Sequence, residues 1–382
     1  MAEPYRILYL IESLGFGGAE KRLANDLRYL DRSRFSSVVC HLYSDQTLRP
    51  ELEELNIPVY GLGLENVYQG GRALRGLLAI IRRHRIQLVH TQLFGADLYG
   101  RLAGCLTKKP VVTTIQSTLY DPLLVSFFSW KRKMTDRLTA PFFTRKFIAV
   151  SYYVKKILEE ELGIREEKIS VIYNSVDVEA FSTPPPYGKQ TLLRELKAET
   201  EGPLLLHVGR LIPEKGHRYL LSAMQIVLHH FPDAILLLAG EGPERSALET
   251  LTASLNLEKS VYFLGNRRDI RDLLHFSDLF LFPSLREGMP VALLEAMAAG
   301  KPCIVSKIGS LEELIEEGTT GILIPPRDSQ KLAEAICFLL QRPESARKMG
   351  GNAVRLIREK CNIGTNVKKL EALYSGELNH AA

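Results

Sequence analysis

Residues 278–306 read DLFLFPSLREGMPVALLEAMAAGKPCIVS. The apolar run Leu279–Phe282 has the length and composition of a buried strand, and Pro283 and Ser284 stop it. Gly288 and Pro290 keep the next residues irregular. Val291–Ala299 is rich in Ala, Leu and Met and reads as a helix, ended by Gly300 and Pro302, after which Cys303–Ser306 is a second strand. Strand, glycine-bearing loop, helix and strand in that order make the unit of a doubly wound parallel sheet, whose ligands sit beyond the strands' carboxyl ends.

Two carboxylates frame this helix. Glu287 precedes it and Glu295 follows eight residues on, roughly two turns at 3.6 residues per turn, so both can point to one side. Between them the amides of Gly288, Met289 and Val291, around Pro290, suit a phosphate, while the carboxylates accept from hydroxyls. An exposed loop Glu and a helix-surface Glu would have the same spacing.

Working outward, the same alternation fills the chain. Tyr5–Ile11, Ser36–Tyr43, Ile57–Leu62, Ile86–His90, Pro110–Ile115, Lys146–Ser151 and Lys168–Asn174 are short β-rich runs separated by stretches of helical period. The pattern restarts with Leu204–Gly209, Ala234–Gly240, Ser260–Gly265, Asp278–Phe282, Pro302–Ser306 and Gly321–Ile324. Between the halves lie three prolines, Pro184–Pro186, which neither helix nor central strand accommodates. The expected organisation is α/β: a Rossmann-like domain over 1–182, a linker over 183–200, a second Rossmann-like domain over 201–360 and a helical tail over 361–382, with a ligand cleft between the two domains.

Other strand ends carry chemistry too. The loop ESLGFGGAEK places Gly15, Gly17 and Gly18 ahead of a helix starting near Ala19, a setting for an anion. Its spacing lacks the third glycine of a dinucleotide fingerprint, and the position of the ribose-binding acid falls in the apolar run around Val39 and Cys40. GRLIPEKG puts Arg210 and Lys215 around a proline turn, two cations able to clamp a diphosphate. GEGPE brings Gly240 to the next strand end, and FLGNRRD brings Asn266 and Arg267 to the one after.

Composition narrows the class. The chain has 382 residues, 46% of them hydrophobic, a net charge of +5, and no low-complexity segment. No apolar run reaches about 18 residues, and Tyr5–Ile11 is too short for a signal-peptide core, so a cytoplasmic protein is expected. Cys40, Cys105, Cys303, Cys337 and Cys361 are scattered without a C-x-x-C pair and read as reduced core residues. Charge is uneven: Asn66–Lys156 holds 16 Lys/Arg against three acids, whereas Phe181 to the C-terminus balances at 24 against 24. Phe127, Phe128 and Trp130 run into Lys131, Arg132 and Lys133, a mixture suited to an anionic membrane surface or an acidic acceptor, though a solvated basic face looks the same.

Taken together, GGAE, YNSVD (Tyr173–Asp177), GRLIPEKG, GEGP, FLGNRRD and SLREGMPVALLEAMAAGKPCIVS resemble family 4 of the glycosyltransferases, retaining nucleotide-sugar-dependent enzymes of GT-B fold. The resemblance covers essentially the whole chain and is strongest in the second half. It implies that Arg210 and Lys215 hold the donor diphosphate, and that Glu287 contacts the transferred sugar with Gly288, Met289, Pro290 and Val291 nearby. It further implies that Glu295 takes the ribose hydroxyls, Asn266 and Arg267 lie by the base beyond Gly240, and Gly17 and Gly18 border the phosphate. No metal or other cofactor and no nucleic acid are implied. The nucleotide sugar is a substrate, the acceptor is lipid-linked or an oligosaccharide in cell-surface glycan or glycolipid synthesis, and a peripheral seat on the inner membrane face fits the basic stretch.

One position departs from the family pattern. After PVVTTI many relatives carry a histidine, and this chain has Gln116, which hydrogen-bonds but takes no proton. In a retaining transfer the proton can leave with the departing phosphate. His90, expected at the end of strand four, is the substitute candidate on the acceptor side, with a core histidine as the plainer reading. A donor-binding protein without turnover and another GT-B enzyme, such as a nucleotide-sugar epimerase, remain as rival readings.

Overall fold

The computed structural model describes residues 3–118, 120, 127–196, 198 and 202–379, the side chains of 127–129 excepted. The chain divides into two compact units. The first comprises Met1–Asn174 with Ile363–Ala382, the second Ser175–Asn362. In the first, strands β1 (Tyr5–Ile11), β2 (Phe35–His41), β3 (Val59–Gly61), β4 (Leu88–Gln92), β5 (Val111–Ile115), β6 (Lys146–Ala149) and β7 (Ile169–Val171) form a seven-stranded sheet of order β3-β2-β1-β4-β5-β6-β7. In the second, β8 (Leu204–Val208), β9 (Ile235–Ala239), β10 (Val261–Gly265), β11 (Leu279–Phe282), β12 (Cys303–Ser306) and β13 (Gly321–Ile324) form a six-stranded sheet of order β10-β9-β8-β11-β12-β13. Every pairing is parallel. These are two Rossmann-like sheets, and strand order reverses between β1 and β4 in one and between β8 and β11 in the other, where ligand crevices open.

Apolar runs such as ILLLA in β9 and LFLF in β11 are buried throughout, as strands covered by helices on both faces must be. The expected strands all form, within a few residues of their expected ends. Three sequence readings need correction. The chain passes between units at Asn174–Ser175 and again at Asn362–Ile363, not at the prolines. Pro184–Pro186 belong to the second unit, where Tyr187 donates to Asp272 at 2.9 Å and its ring lies tilted 5.6 Å from that of Phe276. Residues 361–382 are no appendage, because helix Ile363–Asn379 buries Val367, Leu370, Tyr374 and Leu378 in the first unit's core beside Ile7, Tyr9 and Phe35. Finally, Cys40, Cys303 and Cys361 are core residues, but Cys105 is exposed and Cys337 half-buried.

Candidate active site

The crevice between β8 and β11 gathers the second unit's charged candidates. Behind β8, Pro213–Lys215 form one 3₁₀ turn that Gly216 ends at φ +72°. A β-carbon at Gly216 would stand 2.1 Å from the Pro283 carbonyl oxygen, so only glycine lets this turn press against the loop after β11. The Leu285 amide donates to the Glu214 carbonyl at 2.7 Å, and Arg286 pairs with Glu214 at 3.3 Å. With the two loops joined, Lys215 Nζ reaches Glu287 Oε1 at 2.5 Å and lies 5.2 Å from the Phe282 ring centroid. Ser310 Oγ donates to the Glu287 carbonyl at 2.8 Å and steadies the loop from the β12 side. Lys215 and Glu287, 72 residues apart, thus form one half-buried ion pair at the switch point.

The second unit's other donor-side candidates lie at the neighbouring strand ends and on the helix after β11. Arg210 is exposed at the end of β8 and makes no ion pair among the described residues. Glu295 is buried in helix Val291–Ala298, behind the buried segment Gly288, Met289, Pro290 and Val291. Pro290 caps that helix without a side-chain bond, which leaves its first-turn amides for backbone, water or ligand. Gly240 holds φ +140° and a β-carbon there would sit 2.0 Å from the Gly209 carbonyl, so the ends of β8 and β9 touch backbone to backbone. Asn266 and Arg267 follow edge strand β10, and Arg267 is already engaged, bidentate to Asp269 at 2.8 and 2.7 Å and paired with Glu195 at 2.5 Å.

Two residues beneath the pair escaped sequence reasoning. His207, in β8, donates from Nδ1 to the Leu281 carbonyl at 2.8 Å, stacks on Phe282 and meets the His217 ring edge-on at 4.6 Å. Burial holds both imidazoles neutral, with the pKa of His207 driven well below its ordinary value and that of His217 lowered to about 4, each pushed further down by the Lys215 charge. Neither was legible from spacing: His207 sits inside the apolar run LLLHV and His217 opens a helix just after Gly216, and neither setting signals what the ring faces.

In the first unit the corresponding edge is built from amides and carboxylates. Gln116 Nε2 donates to Gln92 Oε1 at 3.2 Å and Gln116 Oε1 accepts from Asn174 Nδ2 at 3.2 Å, so a row of three carboxamides spans the ends of β4, β5 and β7. Gln92 lies beside Ile11 at the switch point, and the next residue, Leu93, holds φ +75° and ψ 153°, a strained backbone for leucine. Glu12 accepts from the Gly95 amide at 2.7 Å. At Gly17 and Gly18 the Glu20 carboxylate lies over the helix start, where a β-carbon on Gly17 would stand 2.0 Å from Glu20 Oε2; an anion there meets a carboxylate as well as amides. His90 is not at this edge. It is a buried mid-strand residue, bonded to Tyr374 at 2.5 Å and Thr114 at 2.7 Å, and burial lowers its pKa to about 3. Gln92, Glu12 and Leu93 were missed because no residue-type motif marks them.

Known proteins resemble both halves of the chain. The family model described as Glycosyltransferase Family 4 matches residues 16–180, and that described as Glycosyl transferases group 1 matches 188–355. A UDP-Gal:alpha-D-GlcNAc-diphosphoundecaprenol alpha-1,3-galactosyltransferase of Escherichia coli is 31% identical over 79% of this chain and 79% of its own length. An N-acetyl-alpha-D-glucosaminyl L-malate synthase of Bacillus anthracis is 31% identical over 89% of this chain and 86% of its own. The crystal structure of Anabaena HepE with UDP and glucose superposes with a TM-score of 0.86 at 25% identity, covering 97% of this chain and all of that one. With two Rossmann-like sheets, both family models in sequence and these relatives, the chain belongs to the family 4 glycosyltransferases of GT-B fold.

Proposed function

We propose that this glycosyltransferase moves a hexose-type sugar, with retention of configuration and without a metal ion, from a UDP-sugar to a lipid-linked or oligosaccharide acceptor. The observation that carries the reading is the Lys215–Glu287 pair at the β8/β11 switch point, with Arg210 exposed on the same loop. Lys215 has three N–H donors, so it can hold Glu287 and a phosphate oxygen together. Arg210 and Lys215 offset the charge that develops on the departing diphosphate. Glu287 accepts from a hydroxyl of the transferred sugar, and Glu295 from the ribose. Gln116 takes no proton, so the acceptor proton leaves with the phosphate oxygen.

The choice of UDP is supported by two similar proteins, one a UDP-galactose enzyme and one a structure holding UDP and glucose. The diphosphoundecaprenol acceptor of the Escherichia coli relative supports a lipid-linked acceptor and action at the cytoplasmic membrane face. Among the described residues no helix is long and apolar enough to cross a membrane. A thermal-shift panel of UDP-, GDP- and ADP-sugars, in EDTA and in magnesium, tests the donor. A UDP-sugar at a hundredfold its Kd is expected to raise the midpoint by roughly 5 °C or more in either medium. No shift with any nucleotide sugar overturns the reading, a shift only with magnesium overturns metal independence, and the anomeric configuration of the product decides retention.

A further inference from the structure

Eleven large hydrophobic side chains are exposed among the described residues, and seven of them stand on two neighbouring helices of the first unit, Phe94–Thr107 and Phe127–Phe143. Trp130, Met134, Leu138 and Phe142 recur every fourth residue, which at 3.6 residues per turn confines them to about a third of the helix circumference. Leu138 is 65% exposed and Phe142 79%. The opposite face of this helix is tied down. Asp136 is buried and accepts from Arg101 of the first helix and from Tyr120, and Thr139 accepts from Arg101 at 3.2 Å. The apolar stripe is therefore held outward by a buried polar network, and Leu102 and Leu106 of the neighbouring helix add to it.

Charge identifies the occupant. The only acids on the two helices, Asp97 and Asp136, are both buried, while Lys108, Lys131 and Arg137 are exposed. Glu161, on helix Tyr152–Leu162, is paired with Lys133. A face of apolar side chains interspersed with cations and, among the described residues of the two helices, free of exposed carboxylates fits an anionic lipid surface, and a second copy of the same face would repel it by like charge.

We propose that Trp130, Met134, Leu138 and Phe142, with Leu102, Leu106 and the cations Lys131 and Arg137, form the surface by which the first unit lies on an anionic bilayer. The inference needs no assumption about donor or acceptor. Phe127 and Phe128, which the sequence reading joined to this surface, have side chains outside the described residues. The surface is also placed differently from that reading, running along the helix to Phe142 instead of ending at Lys133.

The full chain should sediment with vesicles of phosphatidylglycerol and phosphatidylcholine at low salt, and at least tenfold less with phosphatidylcholine alone. Lys131→Gln with Arg137→Gln is expected to weaken binding to anionic vesicles about thirtyfold, at the loss expected for two cations near a charged surface. Leu138→Asp with Phe142→Asp is expected to abolish it, with circular dichroism and the nucleotide-sugar thermal shift unchanged. No sedimentation of the parent chain, or equal sedimentation of the double aspartate variant, overturns the proposal. A concentration-dependent dimer in analytical ultracentrifugation, lost in the aspartate variant and accompanied by no vesicle binding, overturns it in favour of a second copy. Because no nucleotide sugar enters the sedimentation assay, its failure leaves the transferase reading standing, and failure of the transferase reading leaves the surface testable.

Discussion

Lys215 and Glu287 are each mostly withdrawn from water, and the ion pair is what makes that burial tolerable. Removing either one leaves the other as a half-buried charge without its partner. Glu287→Ala is therefore expected to lose sugar transfer by about a hundredfold to a thousandfold, the scale of removing one oriented polar group from an active site, while circular dichroism stays native. Near-normal turnover would refute the assignment. The imidazoles below the pair give a pH prediction. The folded-state pKa of His217 lies at about 4, below the ordinary value near 6.5, so the unfolded chain binds the proton more readily. Stability from this residue is complete above about pH 6.5 and is lost as pH falls toward 4. His217→Phe should flatten the dependence of unfolding free energy on pH in that window by one proton, and an unchanged slope would show that His217 does not titrate there. Glu287 and Lys215 were legible as separate motif residues because each sits beside glycine and proline at a strand end. Their contact was not, since it follows from the adjacency of β8 and β11 and from the bare α-carbon of Gly216.

At the scale of elements, the helices Phe94–Thr107 and Phe127–Phe143 are joined by one cation shared between two carboxylates. Arg101 bonds Asp136, and Asp97, one turn before Arg101 on the same helix, is buried with Oδ1 lacking a hydrogen bond among the described residues. Burial raises the Asp97 pKa to about 8, the Arg101 charge opposes the shift and the Asp136 charge adds to it. A raised carboxyl pKa means that the folded chain keeps a proton the unfolded chain gives up. The Asp97 contribution is thus complete below about pH 4 and disappears as pH rises through about 8. Asp97→Asn removes the charge at constant shape, so it should change little at pH 4, where both states carry the proton, and stabilise the protein by about 1–3 kcal/mol at pH 9. Urea unfolding at the two pH values checks this, and equal effects at both would exclude a proton held at Asp97. Nothing in the sequence pointed to this network: Asp97 and Arg101 are four apart, the spacing of any surface helix pair, and only the packing of the second helix makes it an interior triad. The strands were legible for the opposite reason, as apolar runs of four to seven residues bounded by glycine and proline serve as strands in few other settings.

For the whole molecule, the last helix decides how the chain closes. Its apolar period announced that Ile363–Asn379 packs on something, but periodicity names a face and not a partner, so only the structure returns it to the first unit. There Tyr374 fills the space between Tyr9, Phe35 and His90, with its hydroxyl 2.5 Å from His90 Nδ1, and Glu371 accepts from the Asp31 amide at 2.8 Å. The outgoing and returning segments run side by side just inside the second unit, where Val176 bridges Asn362 and its amide donates to the Cys361 carbonyl at 3.0 Å. A chain ended after Asn362 would therefore lack part of the core of the unit made first, and keep the later one whole. Burying a residue such as Tyr374 is worth about 3–5 kcal/mol, a large fraction of the 5–15 kcal/mol that holds a domain together, and Val367, Leu370 and Leu378 are lost with it. Hydrogen exchange of the truncated chain is expected to show β1, β4 and β5 exposed and β8, β9 and β11 protected, with nucleotide sugar still protecting the loop that bears Lys215 and Glu287. Equal protection of both sheets would mean that the terminal helix rests on the first unit without completing its core. Tyr374→Phe separates packing from bonding, because it keeps the ring and strips His90 of one partner; it should cost about 1–3 kcal/mol, less than the truncation, and confine the added exchange to the first unit.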